Sequence, residues 1–469
     1  DHPRLFQDVA AYSVALHGAQ HVQGGVSLAC RTALARRGVA HVAIPVDVQE
    51  QELAEDEPSP RHKVEPSTQS AAATLEPDAA AITEAARILN LGRRVVILAG
   101  QGARGAADEL LRTSELLGAP IAKALLGKDV VPDVHPAVTG GVGYLGARPS
   151  QQALAACDTL LIVGSGFPYV EYYPSPGQAK VVQIDSDPAR ISLRYPVDAA
   201  IVGDARASLA RLNDALTMNT DHDFLKQVRQ WKAEWLEALA AGARRPGEPM
   251  KPQRVVYELD RRLGDDALVA TDCGHNTGLA AQYLQIRGSQ RFAVSGTLAS
   301  MGAGVPYAIA AALAFPGRQV VAVVGDGGLG MSLAELATCA RYHLPVKIIV
   351  INNGVLGQIK WEQMLFLGNP EFACDLALMD FAQIARGCGV RARRITSPSE
   401  VGEALDELLA AEGPALLDTV VDPNEPMLPP KRREDYMRKL QQALKAGTPG
   451  SGEIEAALRQ EPARTSLQD

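Results

Sequence analysis

No apolar run of the roughly 18 residues needed to cross a membrane occurs in the 469-residue chain. No secretory leader opens it, so the expectation is a protein that neither spans a membrane nor is secreted. Cysteine is scarce: Cys30, Cys157, Cys273, Cys339, Cys374 and Cys388 lie scattered, with no C-x-x-C pair among them. That argues against a zinc site or a disulfide framework and for reduced thiols in a cytoplasm. A basic surplus is also lacking, with 46 Lys and Arg against 54 Asp and Glu and a net charge of −8. Such a surface has little with which to neutralise a phosphate backbone, so nucleic acid is not an expected partner. What the chain does have is 46% hydrophobic and 21% charged residues. That globular balance excludes disorder over the whole length.

Two stretches interrupt the apolar rhythm. "EQELAEDEPSPRHKVEPSTQSAAATLEP" (50–77) is charged and Pro- and Ser-bearing, which is linker composition. An expected amphipathic helix and the Gly- and Pro-bearing "AAGARRPGEPMK" fill a second break, 217–251. The chain therefore divides into 1–49, a middle domain at 78–216, a larger domain at 252–430, and a tail at 431–469 expected to be helical, then flexible. Residues 1–49 offer one helix, "VQGGVSLACRTALARRG", and one strand, "VAHVAIPVDV", too little to bury a core alone.

In the two larger pieces, short β-branched runs alternate with helix-period sequence. "RVVILAG", "DTLLIVGSG", "AKVVQIDSD", "ALVATDCG", "RQVVAVVGDGG", "PVKIIVINN" and "PALLDTVVD" read as buried strands. The fold class that follows is α/β, with doubly wound parallel sheets covered on both faces. Ligands of such sheets bind beyond the carboxyl ends of the strands.

Those ends carry the chemistry. "VVAVVGDGG" stops at Asp326, Gly327 and Gly328, and the next strand, "PVKIIVI", stops at Asn352 and Asn353. Neighbouring strands would set Asp326 beside Asn353, a hard oxygen pair suited to Mg²⁺ or Ca²⁺. The glycines let a phosphate approach the backbone. The plainer alternative is a helix cap followed by an Asn-Asn turn.

On "GDGG", the segment from Gly328 to Ile351 and then "NN", the chain resembles the thiamine diphosphate (ThDP) enzymes. The resemblance implies Asp326, Asn353 and the carbonyl of Val355 as Mg²⁺ ligands, with Gly327 and Gly328 against the diphosphate. "LASMGAGVP" matches the segment that supports the bent coenzyme, implying Ala299, Ser300 and Met301 at the cofactor. Taken alone, Met301 reads equally as a core gap-filler.

The middle domain carries a formal G-x-G-x-x-G at Gly100, Gly102 and Gly105 after a strand, but no acidic residue about 20 positions on. That counts against an NAD site. Three later loops, "GYLG", "GSGFPYVEYYP" and "QIDSDPARI", are similar to the FAD-binding middle domain of pyruvate oxidases and quinone-linked pyruvate dehydrogenases. The likeness runs over about 1–436. It implies FAD contacts at Val142, Gly143, Tyr144 and Leu145, at Ser165, Gly166, Phe167, Pro168 and Tyr169, and at Asp185, Ser186, Asp187, Pro188, Ala189 and Arg190. Turn chemistry with packing aromatics is the alternative reading.

The resemblance implies oxidative decarboxylation of a pyruvate-like 2-oxo acid, with FAD as electron acceptor. Met301, Gln358 and Glu362 are the implied catalytic-site residues, with Gln358 also at the cofactor; quinone-linked relatives have Phe in place of Gln358. Glu362 can also be read as an exposed helix residue. Alternatives are acetolactate synthase-like carboligation, plain decarboxylation, or a non-catalytic scaffold without Mg²⁺-dependent ThDP binding. Residues 1–49 resemble only the end of a pyrimidine-binding domain and contain no glutamate. The expectation is therefore a truncated chain without the activating glutamate, weakly active or inactive, from a homodimeric or homotetrameric protein. Ile454, Leu458 and Leu467 are too few for membrane-surface binding, so the tail is expected to be solvated.

Overall fold

Parallel pairing runs through every named strand of the computed structural model, which describes residues 1–52, 74–431 and 434–460. Two compact units result, Asp1–Thr74 and Leu75–Asp469. Most of the expected linker 50–77 and the last residues of the tail, Leu467 included, lie outside the described residues.

In the first unit, β1 (Tyr12–Ala15) pairs in parallel with β2 (Ala40–Ala43), and helix Val22–Arg36 connects them. The sequence reading had one strand here. β1 escaped it because Tyr-Ser-Val-Ala is only half-buried along its length, so no apolar run announces it.

The second unit holds two six-stranded sheets. Its first six strands are β3 (Val95–Ala99), β4 (Ile121–Lys123), β5 (Val138–Gly141), β6 (Thr159–Val163), β7 (Lys180–Asp185) and β8 (Ala199–Val202). They stand in the order β5-β4-β3-β6-β7-β8. The other six are β9 (Leu268–Thr271), β10 (Arg291–Val294), β11 (Val320–Gly325), β12 (Val346–Asn352), β13 (Arg391–Ile395) and β14 (Ala415–Val420). Their order is β10-β9-β11-β12-β14-β13. The first order reverses between β3 and β6; the second reverses between β9 and β11 and again at its far edge, where β14 lies inside β13. At such a point the loops leave in opposite directions and open a crevice.

The seven strands read from apolar runs are β3, β6, β7, β9, β11, β12 and β14. Four of the unread ones, β5, β8, β10 and β13, are sheet edges. An edge strand has one open side and can be polar or short; β13 is Arg-Ala-Arg-Arg-Ile. The remaining one, β4, has only three residues.

The tail, expected to be solvated, is packed over its first part. Helix Glu434–Lys445 lies on the segment Gln363–Leu367, and a second helix follows at Ser451–Gln460. Its Ile454 is completely buried with Trp361, Met364 and Leu440. This part is packed rather than solvated, because two apolar residues suffice when a protein groove receives them. Ile454→Ala should cost about 2–5 kcal/mol, read as a lower urea midpoint or as early proteolysis after residue 445. No helix among the described residues is long and apolar enough to cross a membrane.

Candidate functional site

The crevice of the last sheet gathers the strand-end residues. β11 and β12 are neighbours in register, with Gly325 opposite Ile351, so the residues that follow meet side by side. Both strands are buried nearly throughout, which explains their continuous Val and Ile. A short helix, Asp326–Met331, starts directly at the glycine turn.

Asp326 is buried, and its carboxylate accepts from Gly327 N at 2.8 Å and Gly354 N at 2.6 Å. Burial pushes this carboxyl up to about 6, against the pull of those backbone donors. The positive φ of Gly354, 67°, turns the chain back towards Asp326. The two asparagines part company here. Asn352, fully buried, gives its amide to Met379 O at 3.0 Å and Asp418 Oδ1 at 2.8 Å, and so locks the strand end. Asn353 instead accepts from Val355 N at 3.2 Å, and Val355 O accepts from Gly357 N at 2.8 Å.

Met301 arrives from the other side of the crevice. A Cβ on Gly327 would lie 3.0 Å from Met301 Cε, 3.1 Å from Leu356 Cδ2 and 3.2 Å from Leu376 Cδ1, so only glycine leaves this cradle open. Ala299 and Ser300 are exposed on the approach to it, Ala299 in a strained left-handed conformation with φ 52°. Ser300 O accepts from Cys273 N at 3.3 Å. Helix Gly357–Glu362 begins against Asn353: a Cβ on Gly357 would sit 3.1 Å from Asn353 Nδ2. On that helix Gln358 Nε2 donates to Glu362 Oε1 at 2.6 Å, while Gln358 Oε1 is buried without a partner. Lys360 and Trp361 are buried, Lys360 paired with Glu371 at 2.7 Å.

An ion would fit this donor set. Among the described residues no three His, Cys, Asp or Glu side chains converge on one point. A cation at Asp326 would thus draw on one carboxylate, an amide oxygen, main-chain carbonyls and a bound anion, the ligand economy of Mg²⁺. The sequence reading missed Asp272 and Asn276 in "TDCGHN", although they stand at a strand end as Asp326 does.

The middle-domain loops also meet. A Cβ on Gly143 would lie 2.8 Å from the Phe167 ring, and one on Gly166 3.5 Å from Arg190 Nη1. Val142 is buried with Phe167. Ser165 Oγ accepts from Phe167 N at 3.4 Å. Pro168, Tyr169, Ser186, Asp187, Pro188, Ala189 and Arg190 are exposed, whereas Asp185 is buried and accepts from Asp187 N at 3.0 Å. Tyr144 packs both against the Phe167 cluster and against the cluster of Trp361 and Met427, where its Oη donates to Met427 O at 2.9 Å and its ring meets Phe366 edge-on; Leu145 packs against the second cluster. The first two glycines of the G-x-G-x-x-G segment serve packing. A Cβ on Gly100 or Gly102 would overlap the backbone of Gly164 at the neighbouring strand end.

Residues 82–212 match the thiamine pyrophosphate enzyme central domain, and residues 272–419 the C-terminal TPP binding domain of the same enzymes. YdaP of Bacillus subtilis (strain 168), named as a thiamine pyrophosphate-containing protein, is 35% identical over 428 residues, 91% of this chain and 73% of YdaP. A Methanocaldococcus jannaschii protein named as an acetolactate synthase large subunit is 35% identical over 85% of this chain and 69% of its own length. Pyruvate oxidase of Lactiplantibacillus plantarum is 31% identical over 92% of this chain and 71% of its own length.

Proposed function

The chain belongs to the thiamine pyrophosphate enzymes, and from that membership we propose that it decarboxylates a pyruvate-like 2-oxo acid oxidatively, with ThDP (thiamine pyrophosphate), Mg²⁺ and FAD. The observation that carries the reading is Asp326 beside Asn353 at two adjacent strand ends, over a glycine cradle flanked by Met301.

In this reading Asp326, Asn353 and the Val355 carbonyl hold Mg²⁺, and Gly327 and Gly328 leave room for the diphosphate. Bound ThDP supplies a carbanion-stabilising thiazolium ring, an electron sink for the bond broken in decarboxylation. Met301, beside the Gly327 cradle, would support the bound coenzyme. Gln358 and Glu362, hydrogen-bonded to each other, face the substrate, where Glu362 holds or moves a proton and Gln358 orients the carboxylate group. The loops 142–145, 165–169 and 185–190 hold FAD. Exposed Leu298, Tyr307 and Met331 around the site support a homodimer or homotetramer.

Acetolactate synthase-like carboligation is the second reading, favoured by the acetolactate synthases among the relatives. Calorimetry should show ThDP binding only with Mg²⁺ present. In the oxidative reading, pyruvate added without oxygen bleaches the flavin bound to a chain joined to a whole pyrimidine-binding domain with its glutamate. Acetolactate formed with the flavin still oxidised would favour the carboligase instead.

A further inference from the structure

One buried carboxylate near the site has no part in the reading above. Asp272 follows β9 directly and is 1% exposed. It stands where the strand order reverses between β9 and β11, the place from which the crevice opens. Its partners come from three segments far apart in the chain. Oδ1 accepts from Asn276 Nδ2 at 2.8 Å and from Gly325 N at 3.4 Å, and Oδ2 accepts from Gly302 N at 3.3 Å. A Cβ on Gly328 would overlap Oδ2. Asn276 is itself fixed, donating to Thr271 Oγ1 at 2.7 Å and to Val323 O at 3.0 Å. Among the described residues Asp272 forms no ion pair with a lysine or arginine.

A buried carboxylate without a counter-ion is costly to stability, so its presence calls for another use. We propose that Asp272 is a positioning residue of the diphosphate site: its two oxygens fasten the Met301 segment and the Gly325–Gly328 turn to one point. The inference rests on the ThDP reading and adds a residue that fixes how the two walls of the cradle face each other. The geometry leaves few substitutes. Every partner of the carboxylate is a donor, so both oxygens must accept, and Gly328 brings its backbone against Oδ2 with no room for a longer side chain.

Asp272→Asn tests this, because it keeps the volume but turns an NH₂ towards one of those donors. In the protein without cofactor, amide exchange at 300–303 or at 325–328 should speed up about tenfold, the loss of one hydrogen bond. β9 and β11 should keep their protection. Affinity for ThDP with Mg²⁺ should fall about 10–100-fold, as for other groups that orient metal ligands. The unfolding midpoint should stay or rise, whereas a merely structural role requires it to fall. Unchanged exchange at both segments, or affinity within about twofold of wild type, overturns the proposal. If Asp272→Asn does not fold, Asp272→Ser is read by the same measurements. A wild-type protein that shows no Mg²⁺-dependent ThDP heat defeats the ThDP reading instead, and the exchange data still decide whether Asp272 holds the loops.

Discussion

Asp326→Ala is expected to bind ThDP with Mg²⁺ at least about 100-fold more weakly than wild type, beyond the range seen when only an outer-shell partner of a metal is lost. Asp326 is the single carboxylate among the proposed ligands, so its removal takes away the charge that holds the cation. The remaining proposed donors, the Asn353 amide oxygen and the Val355 carbonyl, are neutral. Gly327 N and Gly354 N lose their acceptor, but they lie at the rim of the crevice, part-buried, where water can replace it. Far-UV circular dichroism should therefore match wild type while the calorimetric signal disappears. Equal titration curves for the two proteins would remove Asp326 from the metal site and, with it, the main support for the proposed function.

The second large effect is on stability. Asp133→Ala should destabilise the protein by about 3–5 kcal/mol, because it leaves two buried ammonium groups without a counter-charge. Asp133 is 3% exposed and receives Lys123 Nζ at 2.8 Å and Lys128 Nζ at 3.3 Å. Burial works against its charge, yet the two lysines outweigh burial and hold its carboxyl below the usual range. Burial pushes the Lys123 ammonium down to about 8 even with Asp133 beside it, so the pair depends on that contact. The cluster also joins the two sheets. Lys128 Nζ donates to Ala281 O and Leu284 O, and Ile286 N donates to Asp133 Oδ2 at 3.0 Å. Urea unfolding should show a clear drop in midpoint for Asp133→Ala and a smaller one for Lys123→Met, which leaves Asp133 paired with Lys128. A change under about 1 kcal/mol for Asp133→Ala would mean that the lysines shed their protons or reach water instead.

Much of the fold was legible because its centre is buried on both faces. Runs such as Val-Val-Ala-Val-Val and Val-Lys-Ile-Ile-Val-Ile have few other uses, and the Gly, Asp and Asn clusters that end them mark the ligand side. The edge strands stayed hidden, since a half-exposed strand needs no apolar run. The packing of Ser451–Gln460 stayed hidden for a similar reason: Ile454 looks unimportant until the groove beside Trp361 is known.

The candidate site divides along the same line. Asp326, Asn353 and Met301 were readable because each belongs to a short local pattern with its own chemistry. Asp272 was not, because its contacts exist only where the helix after β9, the loop after β10 and the end of β11 come together. The same holds for Lys123, Lys128 and Asp133, ordinary charged residues in the sequence and a buried junction in three dimensions.

The sequence by itself determined the parallel sheets, the family resemblance and the residues proposed for the diphosphate and metal, since periodicity and spacing are local properties of the chain. Only the tertiary structure decided that Asn352 locks the strand end, that the first glycines of the G-x-G-x-x-G segment serve close packing, and that Asp272 lies between two walls of the cradle. Those are matters of contact between segments far apart in the chain. They depend on strand order and close approach, which no local pattern encodes.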